Sequence, residues 1–593
     1  MAQDNKSITA ISIKTGSSSA PQDIHWVQTN IPCQTACPAG TDIPGYLEAI
    51  YHEDFEKAYA INWRDNVFPG VLGRVCSRPC EDACRHGRAG NGESVAICFS
   101  KRAAGDFSDN ALSNISRHDP TGKKVVVVGS GVAGLAAARD LALAGHQVVV
   151  LEKHKNPGGM LVQGIPAFRL PREVIHQEIS QIEKLGVEIQ CGVEVGVDTT
   201  LEKLARENDA VILAAGTMNP NIPDLPGVGL PGVQHGLDFL LSVNENGARE
   251  FGQEVVVIGG GYTAMDCART AVRLGAKTRV LYRRDQEDMV VLPGELEEYL
   301  SEEGDIQFRL TPVAVAGEAR AHGIKLVKTQ VHRSDKATKV ELLNDTETHV
   351  ETDYIVLATG QTQDVGMLNG QFNGTLVNEK HLPNVRQSHR TEVSNVFVAG
   401  DYALGATTLI QAIGHARKTA RVVDEFLIQK KKPELQVRVG ESFFSKGVNG
   451  KTTGRNMAQN VIPIHPMPLL AKQSRGLVDE VETGYAKDVA THAASRCYLC
   501  HYKFEIDDKK CVLCDECIKV KPVPDCILPV AEVTQDHEGR VVGYTLVEKG
   551  KTSSLYYNRL WIDQDKCIRC GQCESVCPVD AISIQKVSFA INL

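Results

Sequence analysis

The sequence is short of several things, and each shortage removes a class of function. Positive charge is not in excess: 64 Lys and Arg against 73 Asp and Glu leave a formal net charge of −9, which argues against nucleic acid or an anionic membrane as the main partner. No apolar run approaches the length of a membrane span, so no transmembrane segment is expected. The opening stretch, MAQDNKSITAISIKTGSSSA, has no basic segment leading into an apolar one; a secretory signal is not expected, and a cytoplasmic location is. Between Cys98 and Cys497 only Cys191 and Cys267 occur, so this long middle region offers no C-x2-C or C-x4-C pair for dithiol–disulfide chemistry. With 593 residues, 42% apolar and 23% charged, the chain has an ordinary soluble composition and the length for several domains, each with its own core.

Cysteine, by contrast, is plentiful. Of 18 cysteines, setting aside Cys191 and Cys267 leaves 18 − 2 = 16, mostly in tight C-x2-C and C-x3-C groups near the two ends. In a cytosolic protein that grouping points to metal or cluster ligation rather than to disulfides. The N-terminal group is Cys33-x3-Cys37-Pro38, then Cys76, Cys80 and Cys84 in GRVCSRPCEDAC, then Cys98. DIPGYLEAIYHEDFEKAYAIN between them is predicted helical, with Pro44 near its start. Cys80 and Cys84, at i and i+4, are expected to share a helix face. Near the other end, DKCIRCGQCESVCPVDAI supplies Cys567, Cys570, Cys573 and Cys577-Pro578. In this C-x2-C-x2-C-x3-C-P pattern three thiolates wrap one [4Fe-4S] cluster and the fourth reaches its neighbour. The companion motif Cys511, Cys514 and Cys517 departs from the pattern: Lys521-Pro522 stands where Cys-Pro belongs, and Cys526 follows. Cys511, Cys514, Cys517 and Cys577 are therefore assigned to one cluster, and Cys526, Cys567, Cys570 and Cys573 to the other.

The middle region carries two dinucleotide motifs. In KKVVVVGSGVAGLAAARDLALAGHQVVVLE (Lys123–Glu152), four consecutive valines read as a buried parallel strand. Gly129, Gly131 and Gly134 give G-x-G-x-x-G, for a tight turn, close approach to a pyrophosphate, and helix–strand packing. The helix N-terminus that follows favours an anion. Glu152, 152 − 129 = 23 residues on, stands where an acid would bind a ribose 2′-hydroxyl. The second motif, EVVVIGGGYTAMDCARTA, has Gly259, Gly261 and Ala264 in the fingerprint positions, and its second strand, KTRVLYRRD, ends in Arg283 and Arg284 rather than an acid. An arginine pair binds a 2′-phosphate that a carboxylate would repel, so NADP(H) is favoured over NAD(H), with solvated surface arginines as the alternative.

DYIVLATGQ and NVFVAGDYALGATTLIQAIGHARKTA resemble the closing segment of two-dinucleotide flavoproteins. The resemblance implies FAD on the first motif, with Gly158 and Gly159 close to the flavin, Gly400 and Asp401 at its ribityl-phosphate region, and the helix near Thr408 aimed at its ring. Residues 33–430 resemble the glutamate synthase small subunit, and the N-terminal cysteines also resemble those of dihydropyrimidine dehydrogenase. There, two [4Fe-4S] clusters are held by R-C-x2-C…C-x3-C-P followed by G-x-V-C…C-x3-C. Here HWVQTN precedes Cys33 where R-C-x2-C would stand, and R-C-x2-C occurs instead at Arg496–Cys500. The resemblance thus implies that Cys497 and Cys500 fold back to complete a cluster with Cys33 and Cys84, while Cys37, Cys76, Cys80 and Cys98 hold a second. A zinc ribbon of Cys497, Cys500, Cys511 and Cys514 is the alternative. Residue 2 is Ala rather than a nucleophilic Cys, and a glutamine amidotransferase is not expected.

The expected architecture is α/β: two Rossmann-like dinucleotide-binding domains flanked by a helical iron–sulfur domain and a ferredoxin-like domain. The expected boundaries are a leader (1–30), helical iron–sulfur domain (31–118), FAD domain (119–247 and 365–430), NADP domain (248–364), surface linker (431–490) and ferredoxin-like domain (491–593). No residue presents itself as an acid–base catalyst. The implied role is an electron-transfer subunit with FAD, NADP(H) and four [4Fe-4S] clusters, in a hetero-oligomer with a catalytic oxidoreductase subunit or with ferredoxin. A stand-alone NADPH:ferredoxin oxidoreductase, bifurcating or not, is the alternative.

Overall fold

A strand of four valines cannot alternate apolar with polar, so both its faces must be covered. In the computed structural model, Lys124–Val128 is the centre of a five-stranded sheet ordered Val396–Val398, Ala210–Leu213, Lys124–Val128, Gln147–Glu152, Glu188–Cys191. Every pairing in it is parallel, with Val126 opposite Val149 and Val211. The structure describes residues 30–88, 92–109, 117–247, 252–334, 337–380, 382–386, 389–430, 436–441, 463–535, 541–547, 557, 559–564 and 566–590. The chain divides into two compact units: residues 115–429 with 468–483, and residues 1–114 with 430–467 and 484–593.

The 115–429 unit contains the second sheet, inserted between Ala210–Leu213 and Val396–Val398. Its order is Val233–His235, Tyr354–Leu357, Glu254–Ile258, Lys277–Tyr282, Asp305–Phe308, again parallel throughout. This sheet begins upstream of the expected boundary at 248, because Phe239, Leu240 and Val243 of helix Gly236–Asn246 bury against Val255, Val257 and Val356. Helix Leu409–Ile428 crosses back to helix Val132–Leu143, joined by a buried Arg417–Asp140 pair at 2.9 Å. Part of the expected surface linker is a strap on this unit. Arg475 Nη1 donates to Glu302 at 2.6 Å, Leu477 packs on the second core, and Val481 N–H donates to Phe168 O.

The other unit is helical around its N-terminal cysteines. The predicted helical stretch is two helices, Ile43–Tyr51 and Phe55–Asn66, because Asp54 caps the second by accepting from Lys57 N–H. Helix Pro79–Asp82 stops before Cys84, so Cys80 and Cys84 do not share a helix face. Strand Gln436–Glu441, from the expected linker, pairs with Ile582–Ala590, which also pairs with Tyr502–Ile506. Glu48 of the N-terminal region ties these pieces together: Oε1 accepts from Tyr502 Oη at 2.6 Å and Oε2 from Lys586 Nζ at 2.8 Å, with His501 Nε2 at 3.5 Å.

Candidate functional site

The sixteen clustered cysteines all lie in this second unit, and the structure brings them into four sets. Cys33, Cys84, Cys497 and Cys500 line one cavity, although more than 400 residues separate the two pairs. Helix Lys487–Ala494 delivers the C-terminal pair to helix Ile43–Tyr51, and Thr491 Oγ1 lies 3.4 Å from Ile50 O. Tyr498, between the two cysteines, stacks on His86 at 4.8 Å, and Arg496 Nη2 donates to Glu93 O at 2.7 Å. Burial pushes the Cys33 thiol well above its ordinary pKa, and the nearness of Cys84, Cys500 and Cys497 adds to the rise. This donor set suits a cationic iron centre, which favours the thiolate form that burial alone opposes.

The second set surrounds a buried lysine. Lys101, on helix Ile97–Phe107, is 3% exposed and has the ionisable thiols of Cys98, Cys76, Cys80 and Cys37 as its neighbours; burial lowers its pKa, and these thiols outweigh that and raise it. Cys98 N–H also donates to Glu81 Oε1 at 2.8 Å. A second cavity is lined by Cys526, Cys567, Cys570 and Cys573, so the longer loop after Lys521-Pro522 returns Cys526 to the place of the missing Cys-Pro. Burial, with Cys567 and Cys570 nearby, pushes the Cys526 thiol up to about 12. Cys511, Cys514, Cys517 and Cys577 form the fourth set. Cys514 is exposed, and Cys511 and Cys577 are partly so. The four residues of a zinc ribbon are thereby divided between two sets. Among the described residues, no group of three or more His, Cys, Asp and Glu converges to hold a single metal ion.

In the other unit, the first glycine motif forms a cradle with no room for side chains. A Cβ on Gly134 would lie 1.9 Å from Gly129 O, and one on Gly159 would lie 2.8 Å from Gly131 Cα. Gly131 precedes helix Val132–Leu143, whose N-terminus has no side-chain cap, leaving N–H groups for an anion. Glu152 is buried; its Oε2 accepts from Ser130 N and Oγ at 2.9 and 2.6 Å, and its Oε1 from His154 N at 2.9 Å. A carboxylate has about four acceptor positions, so three bonds leave capacity for a ribose hydroxyl. Ser130 Oγ also accepts from Gly158 N–H at 3.1 Å, tying the second glycine pair to the first motif. Gly400 N–H donates to His415 Nδ1 at 3.1 Å, and Asp401 accepts from Thr407 Oγ1. Thr408 caps helix Leu409–Ile428 through a capping box with Gln411.

The second motif repeats this plan. Gly261 precedes an uncapped helix Tyr262–Arg273, Ala264 is buried in its first turn, and a Cβ on Gly260 would lie 2.4 Å from the Tyr282 ring. Arg283 is exposed; Arg284 is half-buried, and its Nε is out of solvent without a hydrogen-bond partner. The acids that follow are engaged elsewhere: Asp285 pairs with Arg309 and Arg333, each at 2.6 Å, and Asp288 with Arg333 at 2.8 Å. The carbonyl of Arg283 accepts from Thr329 Oγ1 at 2.7 Å, fixing where the arginines leave the strand. Sequence reasoning missed Ser130, His415 and Lys101. Ser130 is an unspecified position of the glycine motif, His415 lies 15 residues past Gly400, and only the helical offset of three from Cys98 pointed to Lys101.

Comparison with known proteins agrees with this architecture. Residues 123–420 match the model of pyridine nucleotide-disulphide oxidoreductases, 27–111 that of dihydropyrimidine dehydrogenase domain II with its 4Fe-4S cluster, and 560–583 that of 4Fe-4S binding domains. The chain is similar to the NADP(+)-dependent formate dehydrogenase subunit beta of Moorella thermoacetica (34% identical, 67% of this chain) and spans 60% of that relative's length. It is 31% identical to the NADPH-Fe(3+) oxidoreductase subunit beta of Geobacter sulfurreducens, over 79% of this chain and 75% of that one. It is 33% identical to the glutamate synthase [NADPH] small chain of Halomonas elongata, over 67% of this chain and 88% of that one. Among the described residues, no helix is long and apolar enough to cross a membrane. With two parallel dinucleotide folds between iron–sulfur modules of the 4Fe-4S type, the chain belongs to the pyridine nucleotide-disulphide oxidoreductase family, where it is similar to the glutamate synthase small chains.

Proposed function

We propose that this chain is the electron-transfer subunit of an oxidoreductase complex, moving hydride between NADP(H) and FAD and single electrons through four [4Fe-4S] clusters to or from a partner catalytic subunit. The observation that carries the reading is the grouping of sixteen cysteines into four sets in a chain that also holds two glycine cradles. Two of the sets, Cys33/Cys84/Cys497/Cys500 and Cys526/Cys567/Cys570/Cys573, each line a cavity, as a cubane cluster requires. Bound FAD supplies the chemistry no side chain here has, accepting two electrons with a hydride and releasing them singly.

The residues divide the remaining work. Gly129, Gly131 and Gly134 admit the FAD pyrophosphate to the helix N-terminus, Glu152 holds the ribose, and Gly158, Gly159, Gly400, Asp401 and Thr408 line the flavin end. Gly259, Gly261 and Ala264 do the same for NADP(H), and Arg283 and Arg284 receive its 2′-phosphate. Between Cys98 and Cys497 the sequence holds only Cys191 and Cys267, which favours the clusters over a dithiol pair as the outlet for electrons. The names of the relatives, formate dehydrogenase subunit beta and NADPH-Fe(3+) oxidoreductase subunit beta among them, favour a subunit over a free-standing enzyme.

The test is anaerobic purification of the full chain, followed by flavin and iron analysis and NADPH titration. One FAD, about sixteen irons (four clusters of four), and bleaching of the flavin by NADPH in preference to NADH are expected. Turnover should appear with co-purifying partner protein. A colourless chain without FAD overturns the reading; rapid reduction of ferredoxin without any partner supports the free-standing enzyme instead.

A further inference from the structure

We infer that the four cluster sites form a single ordered wire, in which the Cys33/Cys84/Cys497/Cys500 site is the obligatory link between the N-terminal and ferredoxin-like sites. The inference rests on the reading that the four cysteine sets hold clusters. Its order is Cys37/Cys76/Cys80/Cys98, then Cys33/Cys84/Cys497/Cys500, then Cys526/Cys567/Cys570/Cys573, then Cys511/Cys514/Cys517/Cys577.

Each step in that order has a physical connection. The first two sites share two short stretches of backbone: Cys33 lies in helix Pro32–Ala36, which Cys37 ends, and Cys80 lies in helix Pro79–Asp82, which ends two residues before Cys84. The middle step is a shared carbonyl. Arg85 lines the cavity of the Cys33 set and Arg569 that of the Cys567 set. Both donate to Gln564 O, Arg85 Nη1 at 2.6 Å and Arg569 Nη1 at 2.8 Å. Arg85 follows the ligand Cys84, and Arg569 sits between the ligands Cys567 and Cys570. Two cysteine loops far apart in sequence thus meet on one oxygen atom, in a buried region where Arg85 and Gln564 are 6% and 4% exposed and Arg569 is 0%. Gln564 Nε2 in turn donates to Phe504 O at 2.6 Å, and Phe504 lines the Cys567 cavity. The last step runs along Gln572–Ser575, which carries Cys573 and leads to Cys577, and Cys573 neighbours Cys517.

Exposure gives the wire its open end. All four cysteines of the first three sites are buried, whereas the fourth site has Cys514 exposed and Cys511 and Cys577 partly exposed. Val512 and Val579 stand beside it, 60% and 38% exposed. The fourth site is the end at which a partner gives or takes electrons. NADPH is oxidised to NADP+, a proton is released to solvent, and the two electrons travel singly, each site reduced as its neighbour is oxidised. Arg85 acts here as a positioning residue; it holds the two loops together and touches no substrate.

The experiment follows how fast the C-terminal clusters equilibrate with NADPH/NADP+, from the oxidised side with NADPH and from the titanium(III)-reduced side with NADP+. EPR reads the signals, and those lost in Cys514→Ser mark the fourth site. In Cys497→Ser/Cys500→Ser holoprotein, titanium(III) still reduces the C-terminal clusters, but their exchange with the nicotinamide couple is lost in both directions. Arg85→Met, which removes no ligand, keeps iron and FAD content and slows the exchange. Wild-type exchange rates in either variant overturn the wire. A wild-type chain without iron–sulfur signals overturns instead the reading beneath it.

Discussion

Replacing Arg284 separates a phosphate site from a solvated surface arginine, and the size of the effect can be worked out beforehand. A buried donor without a partner costs ~1–3 kcal/mol, and Arg284 Nε is such a donor. A 2′-phosphate that satisfied it would recover that cost and add a charge-assisted bond, worth ~1.5–3 kcal/mol. Arg284→Gln should therefore lose ~2 kcal/mol of NADPH binding, which is ~30-fold in kcat/KM at 1.4 kcal/mol per tenfold. Arg283 is exposed, so its contribution is screened; Arg283→Gln should cost ~0.5–1 kcal/mol, about two- to fivefold. Neither change should move kcat/KM for NADH by more than roughly twofold, because NADH has no 2′-phosphate to lose. The assay is steady-state dye reduction with each nucleotide under anaerobic conditions, at fixed low salt because the effect is electrostatic. An equal fall with both nucleotides would show that Arg284 supports the strand end rather than the phosphate. No fall with either would place the 2′-phosphate on Arg309 or Arg333, which now neutralise Asp285 and Asp288.

Three further outcomes follow from the geometry. Gly159→Ala forces a Cβ to 2.8 Å from Gly131 Cα at φ +53°, so FAD content and NADPH-driven bleaching should fall together while iron content stays; unchanged FAD would remove Gly159 from the cradle. Lys101→Met takes a buried cation from among four cysteines, and the cluster there should become harder to reduce by roughly 60 mV, one tenfold step in a one-electron equilibrium; redox-titrated EPR at unchanged iron content reads it, and an unmoved potential refutes it. Glu302 accepts from Arg269, Arg273 and Arg475 at 2.6–3.3 Å. Burial works against its ionisation, but the Arg273 and Arg269 hydrogen bonds and charges prevail and hold it down to about 2. Its stabilisation is thus complete above the ordinary carboxylate range and is lost as pH falls from about 4.5 towards 2. Glu302→Gln should cost ~3–5 kcal/mol near neutral pH and flatten the acid limb of Tm against pH; an unchanged acid limb would mean the arginines hold the strap without it.

What was legible in the sequence was whatever local spacing encodes. Valine runs, glycine fingerprints and the C-x2-C-x2-C-x3-C-P repeat each concern a few neighbouring residues, and each maps onto the predicted element. The family matches bear out the two dinucleotide folds between iron–sulfur modules. Less legible was anything decided by packing across long separations. Val233–His235 joins the second sheet although it precedes the boundary predicted from the glycine motif, because helix Gly236–Asn246 needs that core. The aperiodic 431–490 stretch supplies a strand and a strap, since edge pairing and a few isolated contacts such as Arg475–Glu302 need no periodicity. Cys80 and Cys84 have helical spacing, yet the helix between them ends at Asp82.

The displaced R-C-x2-C segment has a consequence for assembly. If Cys497 and Cys500 complete a site with Cys33 and Cys84, that site cannot exist until the chain has been made past Cys500 and that segment has returned to Cys33 and Cys84. Loop closure over more than 400 residues is entropically unfavourable, but the cost grows only slowly with length, and several contacts at the junction offset it. Glu48 takes hydrogen bonds from Tyr502 and Lys586, His86 stacks on Tyr498, and Arg85 donates to Gln564. Each of these joins an N-terminal residue to one beyond Cys497, so the two ends meet through protein contacts of their own. Truncation before residue 497 should therefore remove more than the ferredoxin-like clusters: the truncated chain should also lose the Cys33/Cys84 cluster while keeping the one around Lys101, a loss of three clusters out of four by iron analysis. Loss of only two would show that Cys33 and Cys84 recruit ligands elsewhere, and it would break the wire at its middle step.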